Sequence, residues 1–213
     1  MAVETRLQQL FSVLFSELIY MKKFGFRVVL IAMAVSMFVL AIASKGSFAQ
    51  DSRPITAKAK IFGPDIAGEL KLRQISNGVT LVDLYLKGDP GVLTPGLHGI
   101  HFHEKAICDE GTEPRFSTAG GHFDPGPFGS SLPVQENHPY HLGDLPNIDI
   151  NQKGEGRLIT ATSRITLYES PVSLFDEDSS AIIVHQLPDL MISGGTAAQS
   201  GGGRLACGAI EQS

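Results

Sequence analysis

Small or apolar residues alternate with polar ones along the first part of the chain beyond residue 55. Residues 56–63 (TAKAKIFG) alternate in this way, and the runs 68–75 and 79–86 flank the turn residues 76–78 (SNG). A period of two is typical of strands that bury one face, and Asn-Gly accepts the positive φ of a tight hairpin turn. The pattern therefore predicts a strand followed by a β-hairpin.

Four further runs are rich in β-forming residues, and they span 99–106, 156–167, 180–187 and 204–211. No window of twelve or more residues beyond residue 49 repeats its apolar positions with the helical period of 3.6. Short strands joined by Gly- and Pro-rich connections predict an all-β sandwich or barrel of about seven or eight strands.

Two long connections interrupt the strands. Residues 107–155 are rich in turn-forming residues, and residues 188–203 are small and Gly-rich. Connections of this length within a compact domain usually carry function.

The first 49 residues have the pattern of a leader. An apolar run over 28–43 follows three basic residues, Lys22, Lys23 and Arg27, and precedes the small-x-small site 47–49 (SFA). This order is typical of a secretory signal, and the run is shorter than the ~20 residues of a membrane span. We expect cleavage after Ala49, a mature domain over 50–213 without a membrane segment, and a natural start at Met21. An uncleaved anchor is the alternative.

The charge of the chain excludes some partners. The formal net charge is −5, and the leader holds five basic and two acidic residues, so cleavage would make the mature part more negative. Because no basic stripe is present, nucleic acid and anionic membrane are poor partners. An anionic substrate would need a local positive group.

Only two cysteines occur, Cys108 and Cys207. Export would place them in an oxidising compartment, which favours a disulfide. A pair of metal thiolates is the alternative, and it is less favoured because neither cysteine has a second one nearby.

Histidines concentrate in one part of the sequence. All seven lie beyond residue 97, and six fall between His98 and His141. His101 and His103 are two residues apart, so on a strand their imidazoles leave the same face. Six histidines in such a short stretch, followed by Asp144, indicate a metal site.

Five segments carry a resemblance to a known family. In chain order they read GLHGIHFHE (96–104), STAGGHFDP (117–125), HLGDLPN (141–147), AIIVHQ (181–186) and GGGRLACGAI (201–210). Together they resemble the copper/zinc superoxide dismutases, especially the exported bacterial branch, over about residues 55–211. The resemblance implies a Greek-key β-barrel of about eight antiparallel strands with long metal-binding loops.

The resemblance also implies the ligands of two metals. The copper ligands would be His101, His103, His122 and His185, and the zinc ligands would include His122, His141 and Asp144. His122 would bridge the two ions. Independently of the family, a set of four imidazoles suits a Cu(II)/Cu(I) couple.

One zinc ligand of the family is missing from the sequence. The family has a further histidine after HFDP, where residues 126–137 read GPFGSSLPVQEN, and His138 is the only substitute. Three hypotheses follow: His138 completes the site, zinc binds to a weakened set, or the protein works with copper alone. We favour the first because tetrahedral zinc accepts four N/O ligands from a loop, although a solvated surface histidine is nearly as good an interpretation of His138.

The resemblance assigns roles to three more residues. Asp189 would hydrogen-bond ligand histidines, His98 would support the site without binding metal, and Arg204 would lie above the copper and attract the anion. The segment 190–203 carries no charge, so the charged steering loop of eukaryotic members is absent.

The function implied is that of an exported superoxide dismutase, periplasmic or extracellular, with copper and zinc as cofactors and superoxide as substrate. Two other classes stay open. One is a non-catalytic copper-binding protein on the same scaffold, and the other is a structural β-sandwich whose histidines bind only zinc. The sequence leaves both a monomer and a homodimer open.

Overall fold

Strands dominate the structure. A computed structural model describes residues 54–75, 78–125, 141–192 and 196–213. It contains nine strands: β1 Ile55–Gly63, β2 Ile66–Gln74, β3 Thr80–Gly88, β4 Gly96–His103, β5 Asp144–Ile150, β6 Glu155–Thr162, β7 Ala181–His185, β8 Arg204–Ala209 and β9 Glu211–Gln212. The all-β prediction is confirmed. None of the helical segments in the described ranges has the length and hydropathy that a membrane span requires.

Eight of the strands form one antiparallel sheet that curls into a nearly closed barrel. Their order is β5-β4-β7-β8-β1-β2-β3-β6, and the short β9 pairs with β1. Three pairs of strands that are consecutive in the chain are not neighbours in the sheet. They are β3 with β4, β5 with β6, and β6 with β7. Such crossings define a Greek key, so the predicted topology is confirmed.

The predicted hairpin is β2–β3. Its strands run from the pair Ile66↔Gly88 to the pair Gln74↔Thr80, and the amide of Ile75 donates to the carbonyl of Val79 at 2.9 Å. The turn residues 76 and 77 lie outside the described ranges.

The ends of the sheet, β5 and β6, pack against each other at Gly156. A Cβ atom at this position would lie 2.5 Å from Cδ1 of Ile150 and 2.6 Å from the carbonyl oxygen of Asp149. Gly156 therefore allows the close approach that nearly closes the barrel.

The sequence-based prediction for residues 144–150 was wrong. The pattern placed residues 144–150 in one long turn-rich connection, yet they form a strand that pairs with β4. Pro146 obscured the strand because proline lacks the amide that a ladder needs. The strand tolerates it because β5 is the last strand of the sheet.

Strands β4 and β7 each separate two environments. Ile100 and Phe102 of β4 face the main barrel core, whereas His101 and His103 alternate with them and leave the opposite face. In β7, Ile182 and Val184 face the same core. A second small buried cluster packs outside it, and its members are Phe116, Ala119, Ala181, Ile183 and Cys207. The histidines therefore lie outside the barrel core, on the side that the long connections cover.

Candidate metal centre

Four histidines from three distant segments meet on the outer face of β4 and β7. His101 and His103 are 0% exposed and lie on β4, which pairs with β7, and His185 ends β7 at a bulge and is 3% exposed. His122 joins them because it forms an isolated bridge with His103. Each ring offers one nitrogen, and these four nitrogens lie within 4.8 Å of one another.

The protonation of two of these rings is set by backbone carbonyls. Nδ1 of His103 lies 3.1 Å from the carbonyl oxygen of Gly120, and Nδ1 of His185 lies 3.3 Å from that of Gly202. A carbonyl only accepts, so in the neutral rings each Nδ1 carries the proton and each Nε2 keeps its lone pair. The two Nε2 atoms are 3.3 Å apart. Two lone pairs that face each other at this distance fit a shared cation.

His101 presents its other nitrogen. Its Nε2 lies 2.7 Å from Oδ2 of Asp189, which fixes Nε2 as the donor. Its Nδ1 is buried and has no hydrogen-bond partner among the described residues. A buried polar atom without a partner is costly unless a ligand or ion occupies its lone pair. The donor set, all imidazole nitrogen, therefore fits copper.

Burial keeps the imidazoles of His101, His103 and His185 neutral, the form that binds metal. It lowers the pKa of His101 despite the opposing hydrogen bond to Asp189. Burial likewise lowers the pKa of His103 well below its usual value, with smaller effects from His185 and His122, and does the same for His185. Neutral ligands need not lose a proton before a metal ion binds.

A second group of donors adjoins the first and contains a carboxylate. It consists of His122, His141 and Asp144. Nδ1 of His122 lies 2.8 Å from Oδ1 of Asp144, and Nδ1 of His141 lies 3.3 Å from Oδ2. His122 belongs to both groups, so its two ring nitrogens are able to serve two ions. One carboxylate and two imidazoles suit zinc.

The Asp144 carboxylate is charged. Burial alone would raise its pKa, but hydrogen bonds with His122 and His141 outweigh burial and hold the pKa well below its usual range. The same contact raises the pKa of His141. An ionised carboxylate beside two imidazoles favours a cation at this site.

Residues 141–144 form a closed turn that sets the positions of these ligands. The amide of His141 donates to Oδ2 of Asp144 at 2.8 Å, and the amide of Asp144 donates to the carbonyl of His141 at 3.2 Å. Gly143 lies between β4 and residue 123, where a Cβ would approach the carbonyl oxygen of Phe102 to 2.6 Å. The proposed fourth ligand, His138, lies outside the described residues, so the three hypotheses about it stay predictions.

Asp189 is held by Met191 of its own loop and by Asn147 of β5. Its Oδ1 accepts from the amide of Met191 at 2.7 Å, and its backbone exchanges two hydrogen bonds of 2.8 Å with the side chain of Asn147. Both carboxylate oxygens are therefore engaged, one by His101 and one by Met191. Sequence reasoning missed Asn147, although it lies within the HLGDLPN segment.

His98, on β4, links the end of β7 to the connection that precedes β4. Its Nδ1 lies 2.8 Å from the carbonyl oxygen of His185, and its Nε2 lies 2.7 Å from that of Thr94. It belongs to none of the metal-binding groups found in the described residues. Its contacts fit a supporting role.

Arg204 lies beside the four-histidine group. Its guanidinium donates to the carbonyl oxygens of Phe116 and Gly120, both at 2.6 Å, and Gly120 also bonds His103. Burial lowers the pKa of Arg204, and Glu104 counteracts this effect. An arginine nevertheless keeps its charge in a protein.

The predicted disulfide between Cys108 and Cys207 is present, with its Cα atoms 5.7 Å apart. Both sulfurs are therefore used, and the thiolate alternative is wrong. The bond ties the connection after β4 to β8, three residues from Arg204.

Comparisons with known proteins agree with this geometry. The family model for copper/zinc superoxide dismutase (SODC) matches residues 66–210. The chain is 33% identical over 168 residues to superoxide dismutase (Cu-Zn) 2 of Aquifex aeolicus, covering 77% of this chain and 90% of that protein. It is 34% identical over 125 residues to superoxide dismutase (Cu-Zn) of Deinococcus radiodurans, covering 56% of this chain and 65% of that protein.

Two solved structures share the fold. The clock protein EA4 superposes with a TM-score of 0.55 at 26% identity, covering 74% of this chain and 94% of that chain. A double mutant of a SOD-like protein from Bacillus subtilis superposes with a TM-score of 0.57 at 27% identity, covering 71% and 95%.

The fold and the two adjoining donor groups define a metal-binding Greek-key barrel. The chain belongs to the copper/zinc superoxide dismutase family, whose members are oxidoreductases with copper and zinc as cofactors.

Proposed function

We propose that this protein is an exported superoxide dismutase that binds copper through His101, His103, His122 and His185. The observation that carries the proposal is the orientation of the ring nitrogens. The Nε2 atoms of His103 and His185 face each other at 3.3 Å, and the buried Nδ1 of His101 has no partner among the described residues. These nitrogens suit one shared metal ion. Bound copper would supply the one-electron exchange that turns two superoxide ions and two protons into dioxygen and hydrogen peroxide.

His122 is suited to handle one of the protons. Its Nδ1 contacts Asp144, so its Nε2 is the nitrogen that would face the copper and, when it does not hold the metal, would be able to hold a proton and donate it to the bound anion. Asp144 stays ionised and orients the ring. We assign to His122 the role of proton donor in the formation of hydrogen peroxide.

Arg204 would capture the substrate. A guanidinium has five N–H donors in a plane, and Arg204 uses only part of them to bind the two carbonyls of the loop. The remaining donors are able to bind a small anion. Since the two carbonyls belong to the loop that also bonds His103, they hold the charge beside the copper ligands.

We further assign His122, His141 and Asp144 to zinc, with His138 as the fourth ligand. The carboxylate and the low pKa of Asp144 support a dication here. Zinc would have no redox role and would instead fix the ring of His122.

The decisive experiment follows superoxide decay directly in a stopped-flow spectrophotometer, with copper and zinc counted in the same sample. Wild type should remove superoxide catalytically, and His101→Ala should lose the activity together with most of its copper. A wild-type protein that holds one copper per chain without accelerating the decay would be a storage protein. A protein that binds zinc and no copper would be a structural one.

We also propose that residues 1–49 are removed on export. The disulfide supports an oxidising compartment. The mass of the protein recovered from the periplasm or the medium should correspond to a chain that starts at Gln50. A full-length protein in the membrane fraction would contradict cleavage.

A further inference from the structure

Arg164 binds the backbone of two residues of the second donor group, His141 and Asp144. Its Nη1 donates to the carbonyl oxygen of His141 at 3.0 Å, and its Nη2 donates to the carbonyl oxygen of Asp144. Arg164 lies two residues beyond the end of β6, and its own amide donates to Oγ1 of Thr162 at 3.2 Å. One side chain therefore connects the end of β6 to both ends of the 141–144 turn.

Packing restrains His141 less than the other donors, so the contact of Arg164 with its carbonyl adds to the few hydrogen bonds that position it. The side chain of His141 is 46% exposed, whereas His101 and Asp144 are 0% and 2% exposed. Packing therefore restrains Asp144 and the buried copper-side histidines more than it restrains His141, whose position depends on the hydrogen bonds of its backbone and on its contact with Asp144. The middle of the turn is held at Gly143, whose amide donates to Phe123 and whose carbonyl accepts from Phe102.

The chemistry of the contact requires an arginine. Two carbonyl oxygens are bound by two nitrogens of one planar group, an arrangement that a lysine ammonium does not reproduce. The two nitrogens bind carbonyl oxygens of the turn, whereas Oδ1 and Oδ2 of Asp144 face His122 and His141. A cation at this place does not help to bind another cation by charge, and its effect must come from position.

We infer that Arg164 is a positioning residue for the zinc half of the site: by holding the carbonyls of His141 and Asp144, it sets the ligand atoms of both residues. This inference rests on the proposed zinc assignment. It predicts that zinc affinity depends on Arg164 far more than copper affinity does, because three of the four copper-side ligands, His101, His103 and His185, are fixed by burial in β4 and β7.

The test dialyses the copper- and zinc-loaded protein against a graded series of chelator concentrations and counts each metal by mass spectrometry. Arg164→Met should lose half of its zinc at a chelator concentration at least about tenfold below that of wild type, the size expected when a ligand loses its orienting partner. Its copper retention should not change. Arg164→Lys should fall between the two.

Arg157→Met is the matched control. Arg157 also makes two hydrogen bonds from one guanidinium, but to the exposed carboxylate of Asp83 and at the other end of β6. It removes the same charge and should retain zinc as wild type does. The melting temperature of the metal-free protein should differ little between the two methionine variants, which separates positioning from general stability.

Three results overturn the inference. They are unchanged zinc retention in Arg164→Met, a parallel loss of both metals, and, if that variant does not fold, unchanged zinc retention in Arg164→Lys. His141→Ala distinguishes this failure from that of the proposed function. If His141→Ala keeps its zinc, the ligand assignment is wrong, whereas loss of zinc in His141→Ala with full retention in Arg164→Met removes only the role of Arg164.

Discussion

The individual ligands of the site are prepared by their hydrogen-bond partners. Gly120, Gly202 and Asp189 each accept from the ring nitrogen that does not face the other histidines. The other ring nitrogen of each of these histidines faces the shared centre of the four-histidine group. This arrangement orients the rings before a metal binds, and burial keeps them neutral, at the cost of leaving the buried Nδ1 of His101 without a partner among the described residues.

Burial of neutral histidines makes the stability of the metal-free protein depend on pH. The pKa values of His103 and His185 are lowered from 6.5 in the folded protein. Below about pH 6.5 the unfolded chain binds protons that the native rings do not, so stability falls as the pH drops towards the native pKa values. The raised pKa of His141 acts in the opposite sense, but this side chain is nearly half exposed and contributes less.

We therefore expect the metal-free protein to melt at a lower temperature at about pH 5.5 than at about pH 7.5. Calorimetry of the chelator-treated protein at both pH values measures the difference. His185→Gln should reduce it, because one of the buried titrating rings is gone. A melting temperature that stays constant over this range would contradict the neutral, buried state of the two rings.

Arg204 should govern the rate of substrate capture. Arg204→Ala should lower the second-order rate constant for superoxide by about tenfold or more, because a local charge concentrates the anion. Arg204→Lys should keep part of the rate. The rate of wild type should fall with added salt, whereas that of Arg204→Ala should depend on it less. Stopped-flow measurements over a series of salt concentrations test these expectations. An Arg204→Ala variant as fast as wild type would show that Arg204 does not capture the substrate.

Among the elements, β4 and β7 place the ligands by simple alternation. Every second residue of these strands packs into the barrel, so the residues between them face the long connections. Sequence alone predicted the hairpin, most of the strands and the shared face of His101 and His103, since each follows from a local pattern. It missed β5 because Pro146 breaks that pattern, and only the sheet order shows that an edge strand accepts it.

The disulfide is the element that holds the loop after β4 against β8. Replacing both Cys108 and Cys207 by serine should lower the free energy of unfolding by about 2–5 kcal/mol. It should also slow superoxide decay, since the carbonyls that hold Arg204 lie on the released loop. Urea unfolding and the stopped-flow assay give the two values. Reduced wild type should behave as the variant does, and equal stability of the oxidised and reduced forms would contradict this role.

For the molecule as a whole, the charge is unfavourable for an anionic substrate. The chain carries a net charge of −5, and several of its lysines and arginines are paired with carboxylates on the surface, as Lys71 is with Glu69 and Lys87 is with Glu155. The positive field at the site therefore depends on Arg204 and on the metals. This is the physical reason why one residue is expected to control the salt dependence.

Contacts to backbone groups are the part of the site that the sequence did not predict. The residue types and spacing of the histidine motifs indicated the donors, and the resemblance indicated Asp189 and Arg204. Arg164 carries no comparable signal, because the two ligand carbonyls that it binds lie 23 and 20 positions away along the chain, and every residue has a carbonyl. Contacts of this kind depend on the closed barrel, which brings the end of β6 to the 141–144 turn.

The central claim is that four imidazoles share one copper ion, and electron paramagnetic resonance of the Cu(II) protein tests it most directly. Coupling of the unpaired electron to nitrogen nuclei counts the bound rings. We expect a tetragonal signal with four nitrogen couplings in wild type and three or fewer in His101→Ala. A wild-type signal with two nitrogen couplings or fewer, or with oxygen donors in their place, would contradict it.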